Sequence, residues 1–146
     1  MPYNSLRDFI EALEKTGQLV RVTEPVSPML EMTEIGTRLI AEKGPAVLFE
    51  NVTGSTMPAL INLFGTIERI AFALGKKPEE LRDIGHTLAF LKQPEPPGGW
   101  KEALEMLPLL KKAMAMKPKT VSKAPCQEVV LTGADIDLNL LPIQTC

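Results

Sequence analysis

The sequence is poor in the side chains that carry most enzymatic chemistry. Its 146 residues include one histidine, His86, and two cysteines, Cys126 and Cys146. A single histidine excludes a paired-imidazole base or a multi-histidine metal site. Two cysteines are too few for a disulfide framework or a cysteine-rich zinc site. There is no Gly-x-Gly-x-x-Gly and no Gly-Lys-Ser/Thr string, so no nucleotide or flavin site of a standard type is encoded. The formal net charge is only −2, which removes any global electrostatic case for nucleic acid. No apolar run approaches the roughly 20 residues of a membrane-spanning helix. The polar opening, Met1 to Ser5, lacks the character of a signal peptide, so the expected compartment is the cytoplasm. Asn51-Val52-Thr53 fits a glycosylation sequon, but without secretion that motif is idle.

What the chain does have is an ordinary globular composition, 45% hydrophobic and 23% charged, in one domain's length. Thirteen prolines are many, and Pro94, Pro96 and Pro97 cluster before Gly98-Gly99 as a linker. Ser5 reads as a helix N-cap, with Asp8 as its shortened capping box. Leu6, Phe9, Ile10 and Leu13 then fall on one helical face, and Gly17 ends the helix. Gln18 to Val22 predicts a strand, with Val20 and Val22 on one side and Leu19 and Arg21 on the other. Glu24 to Pro28 is an extended connector. A second helix, with Leu30, Met32, Ile35 and Leu39 inward, runs to about Lys43 and stops at Gly44-Pro45. Ala46 to Phe49 and Pro58 to Leu63 predict two further strands around a polar turn at Asn51 to Ser55. Thr66 caps a third helix with Ile67, Ile70, Ala71 and Leu74 inward. Pro78, Glu79 and Glu80 then open a fourth, lined by Leu81, Ile84, Leu88 and Leu91. Trp100 begins a helix that Pro108 is expected to break or kink. Cys126 to Leu131 predicts a strand, and the last stretch is extended. The expected fold class is α/β, of mixed α+β character, with helices packed on a small sheet.

Few residues stand out as chemistry. His86 lies about 200° around its helix from Ile84, away from the apolar stripe, and reads as a solvated surface residue. Asp135 and Asp137 form an Asp-x-Asp that on a strand would present two carboxylates on one face, as a divalent metal needs. With no third ligand evident, a turn running into a strand explains the pair as well. Cys126 and Cys146 lack a neighbouring base and read as structural. Met106 to Gln127 holds Lys111, Lys112, Lys117, Lys119 and Lys123 and no acid, interleaved with Leu107, Leu109, Leu110, Met114 and Met116. A cationic apolar helix of this kind suits an anionic membrane surface; the alternative is a core-packed helix with a solvated lysine face. Nucleic acid is disfavoured, because no arginine or aromatic accompanies the lysines. Gly133 to Cys146 is apolar, with Leu138, Leu140, Leu141 and Ile143, and is expected to be the lead-in to further chain.

Five strings in register carry a resemblance: LRDFIEALEKTGQLVRV from Leu6, GPAVLFENVTG from Gly44, INLFGTIERIAFALG from Ile61, LAFLKQPEPPGGW from Leu88 and APCQEVVLTGADIDLNLLPIQTC from Ala124. Together they resemble the amino-terminal part of the UbiD family of decarboxylases, over essentially the whole chain from Tyr3 to Cys146. The LAFLKQPEPPGGW string, followed by the lysine-rich stretch, is similar to the polyprenyl-hydroxybenzoate branch in particular.

The resemblance implies a carboxy-lyase that converts 3-polyprenyl-4-hydroxybenzoate to 2-polyprenylphenol in ubiquinone biosynthesis, with another aromatic carboxylic acid as the alternative substrate. It implies prenylated FMN, a divalent metal (Mn or Mg) and potassium, all held by a flavin-binding split-barrel domain beyond the Leu141-Pro142-Ile143 motif, and a homo-oligomer. The implied organisation is an α/β domain at 1–92, a linker at 93–99, a Lys-rich helical segment at 100–125 and the start of the flavin domain at 126–146. No catalytic, cofactor-binding or metal residue of the family falls within this chain, so the segment alone is expected to be inactive. It is expected in the cytoplasm, with peripheral contact at the inner face of the cell membrane. A reading from another class is a non-catalytic interaction module, or a separate subunit, that assembles with a flavin-binding partner.

Overall fold

The computed structural model describes residues 3–92, 98–115 and 117–146; the prolines of the expected linker, Pro94, Pro96 and Pro97, and Met116 lie outside the described residues. Two compact units emerge, one formed by 1–81 with 134–146 and the other by 82–133.

In the first unit, α1 (Leu6–Lys15) starts where the Ser5 hydroxyl accepts the Asp8 amide at 3.2 Å. The Asp8 carboxylate returns to the Asn4 amide, one residue earlier than a full capping box requires. Gly17, at φ 69°, turns the chain out of the helix into β1 (Leu19–Val22), a left-handed position that glycine occupies without penalty. Next come α2 (Glu31–Ala41), β2 (Ala46–Phe49), β3 (Ala59–Ile61) and α3 (Ile67–Ala73). The Thr66 hydroxyl caps α3 by accepting the Arg69 amide.

The sheet order is β1-β2-β3. β1 and β2 run parallel, Leu19 opposite Ala46 through Val22 opposite Phe49, and α2 provides the crossover that parallel strands need. β3 returns antiparallel, with Leu48 opposite Leu60. All four residues of β2 are buried, which fits a strand covered on both faces. Val47 and Phe49 join Val26, Met32, Val52 and Ala59 beneath α2. Ala46 and Leu48 join Phe9, Leu13 and Leu19 on the side of α1 and α3. Tyr3, Phe9, Phe64 and Phe72 extend that second layer, with ring centroids 4.9–6.2 Å apart. The mixed α+β class expected from the sequence is the one observed.

In the second unit, α4 (Leu81–Lys92, whose first residue belongs to the other unit) and α5 (Trp100–Ala115) are the helices. Among the residues in 82–133 whose burial is described, none is buried. Three expectations are corrected here and in the last stretch. Pro108 does not break α5, which runs through it. Proline removes the bond to the Leu104 carbonyl, and Leu104 and Pro108 are both exposed, so the lost bond falls at the surface rather than in a core. Cys126 to Leu131 is not a strand: a 3-10 turn spans Pro125–Gln127, and Val129, Val130 and Leu131 stay exposed without a ladder partner. The last stretch is not wholly extended, because 3-10 turns occupy Gly133–Asp135 and Leu138–Leu140.

Arg69 is the buried charge of the first unit, at 3% exposure. Its Nε donates to the Leu63 carbonyl at 3.2 Å and its Nη2 to the Asn62 carbonyl at 3.0 Å. Burial lowers its pKa from the usual guanidinium value, against the weaker pull of Glu68. The fork holds the chain between β3 and α3. Asn62 itself sits at φ 54°, and its Nδ2 donates to the carbonyls of Gly44 and Pro45 just before β2.

Two measurements test this account. Phe49→Ala should lower unfolding free energy by about 3–5 kcal/mol, read from the urea midpoint, because Phe49 is fully enclosed. Arg69→Met should cost about 2–4 kcal/mol by the same melt, since two inward carbonyls lose their donors, and Arg69→Lys should not restore it because an ammonium cannot fork to both.

Candidate functional site

The residues singled out in the sequence are not brought together. His86 is exposed on α4. Asp135 lies in a 3-10 turn, and Asp137 precedes the next one and caps it: its Oδ1 accepts the Asn139 backbone amide at 2.9 Å and the Asn139 side chain at 2.8 Å. The strand geometry that would have aligned the two carboxylates is therefore absent. Cys126 and Cys146 are both free and exposed, so neither is a packed structural cysteine. Lys111 is exposed on α5, while Lys117, Lys119 and Lys123 follow the end of that helix at Ala115 on irregular backbone. The lysine-rich helix expected over 100–125 is thus shorter than the lysine run.

Among the described residues, no cluster suited to a metal is seen, and neither of two surface cavities offers a flavin-like cradle. Among the described residues no group of three His, Cys, Asp or Glu could hold a metal ion. A cavity of about 450 Å³ is lined by Ser122, Lys123, Ala124, Pro125, Gln127 and Glu128. The amides of Gln127 and Glu128 are already engaged by the carbonyls of Ala124 and Pro125, and Lys123 and Glu128 both line the cavity. Neither of those two amides is free for a phosphate, and the lining holds no aromatic side chain. A second cavity, about 240 Å³, is lined by Tyr3, Asn4, Ser5, Leu6, Phe9 and Ala73 and is mainly apolar.

Several polar groups of the first unit are instead engaged within the unit, with one another or with its backbone. Arg21 on β1 binds Glu14 through Nε and Nη2, at 2.7 and 3.1 Å, and Glu50 through Nη1 at 2.7 Å. The hydrogen bond from Arg21 holds the Glu14 carboxyl below its ordinary value, and the two carboxylates raise the pKa of Arg21. Residues 140–146 are tied back to the same unit. The Ser55 hydroxyl donates to the Leu140 carbonyl at 2.8 Å. The Thr145 carbonyl accepts from the Thr33 hydroxyl at 2.7 Å and from the Leu30 amide at 3.2 Å. The Thr145 amide donates to the Pro28 carbonyl at 2.9 Å, and the Gln144 side chain donates to the Thr33 oxygen at 3.0 Å.

Sequence reasoning missed Thr33 and Arg69 in these roles. Arg69 had a usable signal, since it shares a helical face with Phe72 and Ala73 at i+3 and i+4. Thr33 had none, because its partners lie more than a hundred residues away.

Residues 10–88 match the family model described as the 3-octaprenyl-4-hydroxybenzoate carboxy-lyase N-terminal domain. An evolved dimeric form of the UbiD-class enzyme HmfF from Pelotomaculum thermopropionicum, solved in complex with prFMN, is 30% identical over 64% of this chain, with a TM-score of 0.53. The closed form of vanillic acid decarboxylase from Sedimentibacter hydroxybenzoicus is 33% identical over 65%, with a TM-score of 0.52. The apo 3,4-dihydroxybenzoic acid decarboxylase from Enterobacter cloacae is 25% identical over 65%, with a TM-score of 0.51. In each case the match covers 21% of the solved chain, so this chain spans about a fifth of those enzymes. With more than half of its residues on the family model and the same fold in these decarboxylases, the chain belongs to the UbiD family, as its amino-terminal domain.

Proposed function

We propose that this chain is the amino-terminal portion of a prenylated-FMN-dependent decarboxylase that converts 3-polyprenyl-4-hydroxybenzoate to 2-polyprenylphenol in ubiquinone biosynthesis. The family match over 10–88 carries the reading. The flavin is supported by relatives solved with prFMN and with FMN. The substrate rests on the polyprenyl-type strings around Leu88 to Trp100, with another aromatic carboxylic acid as the alternative.

In this enzyme 1–92 is the α/β domain, 93–99 the linker, 100–125 the lysine-bearing segment and 126–146 the approach to the flavin-binding domain. The flavin, the divalent metal and potassium belong to that following domain, and the enzyme is a homo-oligomer. This stretch contributes no catalytic, cofactor or metal residue; its role is to pack on the flavin domain and shape the substrate mouth.

The enzyme is cytoplasmic with peripheral contact at the membrane, where a polyprenyl substrate resides. Among the described residues no helix is long and apolar enough to cross a membrane. Since Lys117, Lys119 and Lys123 are exposed on irregular backbone, the contact is that of a basic segment with anionic headgroups, worth about 1 kcal/mol per lysine near the surface.

The purified 146-residue chain should release no carbon dioxide from 3-polyprenyl-4-hydroxybenzoate with added prenylated FMN, whereas a protein in which it is continuous with the flavin domain should. Turnover by the short chain would overturn the assignment. Replacing Lys117, Lys119 and Lys123 by glutamate should abolish sedimentation with phosphatidylserine vesicles at low salt; unchanged binding would refute the membrane contact.

A further inference from the structure

The entry to α2 is strained in a way that its own side chains do not explain. Leu30 has φ 64° and ψ −36°, and the Glu31 amide donates back to the Met29 carbonyl at 2.7 Å. This is the positive-φ γ-turn, a rare and strained conformation, here on a bulky leucine. Such a residue costs on the order of 1–3 kcal/mol and persists only where its surroundings over-determine it. Burial does not repay it, since the Leu30 side chain is 60% exposed. Nor does a side-chain cap, because Leu30 occupies the N-cap position of α2 and has none.

What the turn achieves is to aim donors at one point. The Leu30 amide and the Thr33 hydroxyl converge on the Thr145 carbonyl, while the Met32 amide in the first turn of α2 donates to the Ser27 carbonyl at 3.2 Å. The Thr145 amide completes the grip on the Pro28 carbonyl, and Met29 and Thr145 form a parallel bridge. On the other side the turn is braced within its own loop: the Glu31 carboxylate accepts the Ser27 amide at 2.7 Å and the Ser27 hydroxyl accepts the Met29 amide at 3.1 Å.

We propose that Pro28 to Thr33 is a clamp for an extended backbone, that its occupant is the 144–146 segment of this chain, and that Thr33 is thereby a positioning residue that sets the direction in which the chain runs on toward the flavin domain. The last clause rests on the function proposed above; the clamp itself does not. The hydroxyl of Thr33 is central because it donates to Thr145 and accepts from Gln144 at once.

Amide hydrogen exchange on the 146-residue chain tests the clamp. Thr33→Val should speed exchange at the Thr145 amide by at least about threefold, and Thr33→Ser should keep it within about twofold of wild type. Leu30→Gly, for which this φ is free, should leave Thr145 as protected as before or more so. Equal exchange in the valine variant and wild type, or lost protection in Leu30→Gly, would overturn the clamp.

With the flavin domain present, Thr33→Val should lower kcat about tenfold at unchanged flavin content, with KM little altered. A loosened Thr145 with unchanged kcat would refute the positioning role. Failure of the wild-type protein to bind flavin would overturn the preceding functional reading and its catalytic consequence, while the exchange result would still decide the clamp.

Discussion

Burial of β2 on both faces is the constraint from which the rest of the first unit follows. Four residues, Ala46 to Phe49, meet α2 with one pair of side chains and α1 and α3 with the other. Because side chains alternate, a slip of one residue against β1 or β3 would exchange Phe49 and Leu48 between layers of different shape. Register is therefore fixed by packing on two sides, and the flanking strands can be short. The approach to β2 is equally tight. A Cβ on Gly44 would come within 2.8 Å of a Leu39 methyl, so a side chain there would require Leu39 to shift. The carbonyls of Gly44 and Pro45 face inward and need a donor.

That need ties the sheet to the loop after β3. Asn62 gives both amide hydrogens to those two carbonyls, which settles the orientation of its side chain: exchanging Oδ1 and Nδ2 would set oxygen against oxygen. Oδ1 then faces Gly65, where an added Cβ would fall 1.7 Å from it. The glycine is thus required by the asparagine, the asparagine by the strand entry, and the buried Arg69 by the carbonyls that this loop turns inward. A chain of polar groups, each satisfying backbone left over by the last, runs from β2 to α3.

Much of this was legible in the sequence and some was not, for separable reasons. Ser5, Thr66, Gly17 and the Gly44-Pro45 stop act through neighbours within four residues, and all of them mark the ends expected of them. Periodicity placed α1 to α4 and all three strands, but Leu30, Ile67, Ile70, Leu74 and Leu88, expected to face inward, are exposed, because each helix buries a narrower stripe than its apolar residues span. Pro108 was expected to break or kink its helix, and of the two only the break is excluded: α5 runs through a proline that sits at the surface, where the freed carbonyl is not sealed in a core. Val129 to Leu131 carries strand-forming residues, but a strand also needs an edge to join, which composition does not report. The turn at Leu138 to Leu140 is held locally, Asp137 accepting from Asn139, but the grip of Leu30 and Thr33 on Thr145 depends on contacts across about a hundred residues. Periodicity is blind to those.

The same accounting explains why geometry alone yields no chemistry here. A catalytic site needs polar groups that converge on a space and remain free for a ligand. In the first unit Asn62, Arg69, Ser55 and Thr33 are directed at backbone carbonyls of the unit itself, and Arg21 at two carboxylates. Asp137, which looked most like a ligand in the sequence, is occupied by Asn139. The described residues therefore behave as a domain whose polar groups stabilise its own path. Kinship with the UbiD family carries the decarboxylase reading, while the entry of α2 meets residues 144–146 through the Leu30 amide and the Thr33 hydroxyl.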